Sequence, residues 1–539
     1  SVTNTIEVNG WKKSATRSIG QAVLRKTHKT PDYAAETIEW TLELNRDKRV
    51  MNNVKITDTF PNEGLTFIEN SLSIDGLTKG TDYTVTPDAN GFTIDFNVQL
   101  TDTHKITYKT AFDYRERLDA NNTSFVNAAT VDWIDESSNG RTVTTTDSVE
   151  PASNTRNNGF KGGTYNAVTK DITWKIGINY HEYATTNLTV TDTWEGTQVP
   201  DKDSFTVAKM TRNIGANAYS VDATPIPSSA YNVVWSDTGF VLTFNEPTDD
   251  AYVITYDTNI DDTKIAPSYK NTAVVTDGAT ELGNLPATVT VRHGGEYNEK
   301  RGIQQGKLIA WTIDINFGQS SLQNVKLRDV PSNNQDILLD SLSVYETTVA
   351  ADGTVTKAGK LSTDAYTVRA IQEMGEFELT FNNPIDRPYI LEYDSYILAA
   401  VGTDITNDVY LTADEVSENT TTKQSKVRVA RTSGMGTASG ELGELTITKT
   451  DELSEKNLSG ASFDLIDTGS GRTVRRGTTG TDGTLTFGRL LYGDYRLVET
   501  KAPDGYLIST ASRNITIAKV KETTTVKNNT IRQDVELTK

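Results

Sequence analysis

A threefold internal repeat limits what this chain can fold into more than any other feature. Trp40 opens Trp-Thr-Leu-Glu-Leu-Asn45, Trp174 opens Trp-Lys-Ile-Gly-Ile-Asn179, and Trp311 opens Trp-Thr-Ile-Asp-Ile-Asn316. Thirteen residues beyond each Asn stands an Asp that closes an alternating run: Asp58, Asp192 and Asp329. Further on, Phe96, Phe244 and Phe381 each end a Phe-x-x-x-Phe run and lie twelve residues before Tyr108, Tyr256 and Tyr393. An Asn then opens another apolar run at Asn127, Asn271 and Asn407. So many matched offsets mean one supersecondary plan used three times.

The plan is built of strands. Runs such as Thr93-Ile94-Asp95-Phe96 and Tyr252-Val253-Ile254-Thr255-Tyr256 alternate with period two and are separated by Asp-Gly, Asn-Gly and Thr-Gly turns. Few segments have helical periodicity. Short, evenly spaced strands in units of roughly 140 residues predict an all-β chain of tandem immunoglobulin-like β-sandwiches in an elongated array. The expected boundaries are 1–149, 150–293 and 294–432, then a Gly/Ser-rich linker at 433–440 and a different module at 441–539. The recurring Trp, Phe and Tyr residues are expected in the cores.

Composition narrows the chemistry. The 539 residues exceed what one core can serve. The absence of cysteine excludes disulfides, thiolate metal sites and a cysteine nucleophile. A net charge of −19 argues against nucleic acid or anionic membrane as partner. No apolar run reaches the roughly 20 residues of a membrane helix, and no signal peptide opens the chain, so a mature segment of a longer protein is expected. Leu285-Pro286-Ala287-Thr288-Val289 resembles a sortase signal without its final glycine, and is read as the start of a strand.

The last module carries Leu445-Thr446-Ile447-Thr448-Lys449-Thr450-Asp451, Gly460-Ala461-Ser462-Phe463, Tyr492-Gly493-Asp494-Tyr495 and Glu499-Thr500-Lys501-Ala502-Pro503-Asp504-Gly505-Tyr506. These motifs resemble the B-type repeat of Gram-positive collagen adhesins and pilins over nearly all of 441–539. The three upstream copies resemble, more loosely, the A-region sandwiches of the same adhesins. The third copy departs most, at Arg328-Asp329-Val330 and Asn407-Asp408-Val409.

That resemblance implies a spontaneous amide between a Lys and an Asn side chain, assisted by a buried acid and tying the first strand of a module to its last. Burial favours the neutral, nucleophilic amine and the protonated carboxyl. Carried over, the assignments are Lys449, Glu499 and Asn528 in the last module, with Asn529 as neighbour. They are Lys161, Asp192 and Asn271 in the second, and Lys300, Asp329 and Asn407 in the third. The first has Asp58 and Asn127. Its lysine is assigned to Lys12, because Asn9-Gly10-Trp11-Lys12 mirrors Asn158-Gly159-Phe160-Lys161; Lys13 and Lys26 are the alternatives.

The expected role is a cell-wall-anchored extracellular adhesin or its stalk, with peptidoglycan attachment through a segment outside this chain. The resemblance implies a host extracellular-matrix protein as partner, collagen among them; a pilus subunit or ligand-free spacer is the alternative. Four histidines without metal-ligand spacing, and no Ser/His/Asp set, give no metal site, no cofactor and no substrate-turning enzyme.

Overall fold

The computed structural model describes residues 2–17, 23–33, 35–62, 64–113, 124–213, 217–372, 375–417, 422–430 and 442–532. The linker expected at 433–440 lies outside the described residues. Nearly every described element is a strand, and the strands pair into two-layer sandwiches in tandem.

In the first sandwich one sheet runs Leu24–His28, Thr37–Leu44, His104–Phe112, Leu65–Ile74 in spatial order. The other runs Gly140–Val149, Phe125–Ile134, Asn52–Thr59, Gly91–Phe96, Tyr83–Asp88. The second and third sandwiches repeat this order with five strands in each sheet. Period-two alternation is visible in Thr37–Leu44, where every second side chain is buried, so one face of each strand forms the core.

The repeated motif residues have definite jobs. Trp40, Trp174 and Trp311 are almost fully buried. Their indole N–H groups donate to Thr110 Oγ1 at 2.9 Å, Thr258 Oγ1 at 3.0 Å and Ser395 Oγ at 2.8 Å, which relieves the cost of burying a donor. Asn45, Asn179 and Asn316 have φ of 57°, 51° and 54°, a left-handed turn that Asn tolerates. Each side chain closes a loop to a backbone four residues on: Arg49, Tyr183 and Ser320.

The last module is a smaller sandwich with sheets of three and four strands. Its first strand, Leu442–Asp451, lies parallel to its last, Lys521–Asn528. This module also shares a core with the third: Leu308, Leu338, Tyr396 and Leu398 pack among Tyr492, Tyr495 and Ile517. Lys307 Nζ is 2.9 Å from Asp467 Oδ1 and 3.8 Å above the Tyr495 ring. Between the second and third modules the backbones bond directly, Ala167 N to Ala351 O at 2.9 Å and Ser321 N to Asp262 O at 2.6 Å. At the chain start, Val2–Val8 and Trp11–Arg17 form a separate two-stranded sheet. The sortase-like run 285–289 sits inside the strand Thr280–Thr290. Among the described residues no helix is long and apolar enough to cross a membrane.

Candidate functional site: a buried lysine, acid and asparagine in each module

The register of the two sheets brings the same groups together in each of the three sandwiches. Lys26 stands opposite Leu42, Lys161 opposite Ile176 and Lys300 opposite Ile313, in each case two residues beyond the buried Trp. Residues two apart on a strand share a face, so each lysine is turned into the core beside the indole. In the opposing sheet Asp58 pairs with Ala129, Asp192 with Ala273 and Asp329 with Val409. Each partner lies two residues past the module's Asn, so Asp and Asn are diagonal neighbours on the inward face.

The first site closes with Lys26 Nζ 2.5 Å from Asp58 Oδ2, while the amine also donates to Asn127 Oδ1. In the second and third, Lys161 and Lys300 donate to Asp192 and Asp329. All these side chains are excluded from solvent. In the last module Lys449 donates to Asn528 Oδ1 and lies 3.4 Å from Glu499 Oε1. Asn528 Nδ2 donates to that same Oε1 at 2.9 Å. Asn528, not Asn529, therefore faces the lysine.

Burial drives the electrostatics. Desolvation pulls the Lys26, Lys161 and Lys300 amines down to about 8, opposed by the attraction of the neighbouring aspartate. Lys449 moves in the same direction for the same reason. Desolvation pushes the Asp58 and Asp192 carboxyls up, against the pull of the lysine. In the first two sandwiches burial thus moves both partners towards their neutral forms, the amine down and the carboxyl up, at the expense of a buried ion pair.

Two sequence expectations need correction. Lys12 is not in the first site. It lies exposed on the separate hairpin with its Nζ 3.2 Å from Glu7, and Lys13 pairs across that hairpin with Ile6. The strand that edges the sandwich is Leu24–His28, so its inward lysine, Lys26, takes the place. The second correction concerns strand order. In the three sandwiches the Asn is on the penultimate strand, because Gly140–Val149, Thr280–Thr290 and Lys423–Arg428 follow it and cover the sheet edge. Only the last module joins first strand to last.

Sequence reasoning also missed a member of the site. Tyr108, Tyr256 and Tyr393 were expected to be packing residues, and their rings are buried. Their hydroxyls, however, donate to Asp58, Asp192 and Asp329 at 2.8 Å each. The same hydroxyls accept from Asn127, Asn271 and Asn407 Nδ2 at 2.8, 2.7 and 2.9 Å. The constant spacing from the Phe run was the available signal.

Comparison with known proteins agrees with this architecture. The family described as collagen binding domain matches residues 156–284 and 295–424, and the family described as prealbumin-like fold domain matches 443–530. Similar solved structures include the group B streptococcus pilus 2b backbone protein, at 22% identity over 43% of this chain and 97% of that one, with a TM-score of 0.19. BcpA, the major pilin subunit of Bacillus cereus, is 14% identical over 64% of this chain and 100% of its own, with a TM-score of 0.21. The collagen binding subdomain ACE19 of the Enterococcus faecalis surface protein ACE is 14% identical over 24% of this chain and 96% of its own, with a TM-score of 0.20. No curated protein matches the chain in sequence. Residues 156–284 and 295–424 thus belong to the collagen binding domain family and residues 443–530 to the prealbumin-like fold family, the domain plan expected of a protein of the collagen-adhesin type.

Proposed function

We propose that this chain is the tension-bearing part of an extracellular, cell-wall-anchored adhesin, and that each module locks itself with a Lys–Asn amide. The pairs are Lys26–Asn127, Lys161–Asn271, Lys300–Asn407 and Lys449–Asn528. The observation that carries this reading is the recurrence of a buried lysine, acid and asparagine in four modules.

The neutral amine attacks the Asn side-chain carbon, and the acid polarises the carbonyl and moves a proton from the attacking nitrogen towards the departing one. One amide forms and one ammonia leaves. Asn271 Oδ1 and Asn407 Oδ1 both lack a hydrogen-bond partner among the described residues, so each carbonyl is open to a donor. Holding the groups in contact replaces a bimolecular encounter, an advantage of about 7 kcal/mol or more. The reaction happens once per molecule and is maturation, so the protein is not a turnover enzyme.

In a chain without cysteine, these bonds supply the covalent cross-links that disulfides supply elsewhere. Direct contacts from the second module through the fourth carry force between modules. The collagen-binding-family domains support an extracellular-matrix ligand, collagen foremost. Intact mass of the purified chain tests the chemistry: a deficit of four ammonias is expected, and a full mass would sink it. Solid-phase binding to collagens, fibrinogen and fibronectin tests the ligand; absence of binding to all three would leave a pilus subunit or spacer.

A further inference from the structure

We infer that Tyr108, Tyr256 and Tyr393 are catalytic residues of the amide-forming reaction, each hydroxyl linking the Asp carboxyl to the nitrogen that leaves. The inference rests on the amide-forming reading above and adds a residue and a proton path to it.

The argument starts from a difference between the modules. In the last one the acid is a glutamate, and its Oε1 accepts directly from Asn528 Nδ2 at 2.9 Å. In the three sandwiches the acid is an aspartate, shorter by one methylene. There a tyrosine hydroxyl stands between acid and amide, with both hydrogen bonds between 2.7 and 2.9 Å. Tyr393 touches all three partners, since Lys300 Nζ also donates to its hydroxyl at 2.7 Å. Asp58 and Asp192 also interact with the Asn127 and Asn271 amides themselves, and the tyrosine hydroxyl adds a short hydrogen-bonded path from acid to amide that has no counterpart at Glu499 among the described residues. The placement follows from register: Tyr108, Tyr256 and Tyr393 pair with Trp40, Trp174 and Trp311, whose strand lies between theirs and the strand that carries the lysine.

The leaving nitrogen needs a proton to depart as ammonia. When the lysine nitrogen bonds to the amide carbon, Nδ2 becomes pyramidal and regains a lone pair. The tyrosine hydroxyl can then turn its hydrogen from the carboxyl to Nδ2 and take the carboxyl's proton in exchange. The carboxylate is reprotonated from the lysine nitrogen. The new amide keeps one N–H, ammonia carries off the Asn nitrogen, and Asp and Tyr end as they began. Burial raises the Tyr108 and Tyr393 hydroxyls far above their ordinary value, so they remain neutral hydroxyls, able to donate and accept throughout.

The test uses the full chain made by pulse-labelled cell-free translation, with Lys161–Asn271 linkage followed over time by tryptic peptide mapping. The Lys449–Asn528 link, which has no tyrosine hydroxyl on its acid or amide among the described residues, is the internal control. Tyr256→Phe keeps the ring and removes the hydroxyl; it should slow the 161–271 link by on the order of 100-fold, as for loss of a positioned proton-transfer group, and leave 449–528 unchanged. Adding Asp192→Glu to Tyr256→Phe should restore linkage, because the longer acid reaches the amide as Glu499 does. Linkage of Tyr256→Phe at the wild-type rate would overturn the tyrosine role alone. A slow Tyr256→Phe that Asp192→Glu does not rescue would assign the hydroxyl to packing and also overturn it. A wild-type chain without the 161–271 link would overturn the amide reading itself.

Discussion

Glu499→Gln in the last module tests what the proposed covalent bond contributes to the sandwich. The replacement has the same size and retains an oxygen for the Ser509 N–H, which donates to Glu499 at 2.9 Å. With that oxygen kept, its amide nitrogen stands where Oε1 accepts from Asn528 Nδ2, so the change removes the proton transfer and that one hydrogen bond. Lys449 and Asn528 are 79 residues apart in sequence, and a cross-link over that span removes unfolded-chain entropy worth about 4.5 kcal/mol at 25 °C. A domain of roughly 90 residues has an unfolding entropy near 0.19 kcal/mol/K, so losing the bond should lower its melting temperature by about 20–25 °C. Scanning calorimetry of the full chain should show one transition moved down by that amount, and intact mass should rise by one ammonia. An unlinked variant that melts with the wild type would refute the claim that the bond governs stability. A variant that still loses the ammonia would refute the role of Glu499.

Three further outcomes follow from the same geometry. Lys26→Met should abolish the Lys26–Asn127 link and with it one ammonia of the mass deficit, whereas Lys12→Met, at an exposed residue paired with Glu7, should leave the ammonia deficit unchanged and cost no more than the ~1 kcal/mol of a surface ion pair. Linkage at 161–271 should quicken as pH rises towards 8: a folded-state lysine lowered to about 8 is mostly protonated and inert below that value, so chain refolded from unlinked material should react about tenfold faster at pH 7 than at pH 6. A rate flat across that interval would contradict the neutral-amine mechanism. Gly239→Ala should hinder the second link, since a Cβ there would lie 1.9 Å from the Asp192 carbonyl oxygen and must push the acid-bearing strand away; linkage at the wild-type rate would show that the acid's position is not critical.

The sequence alone determined the repeat, the strand alternation and the identity of most of the reactive groups. Those are properties of spacing along one chain: residues thirteen or twelve apart in every copy keep their relation whatever the partner sheet does. Parity on Lys521–Asn528 favoured Asn528 over Asn529, because adjacent strand residues face opposite ways, and the structure set Asn528 against Lys449. What spacing does not carry is which strand lies across the core. Lys12 and Lys26 both stand on strands, Lys12 with the matching motif and Lys26 with the better spacing to Trp40, and only the pairing of Leu24–His28 with Thr37–Leu44 decided between them. The tyrosines illustrate the same limit. Their rings read as core from the pattern, and they are core. Only packing of the two sheets revealed that each ring carries its hydroxyl to the carboxyl and the amide of the opposing sheet, where a buried polar group must find partners or be paid for in stability.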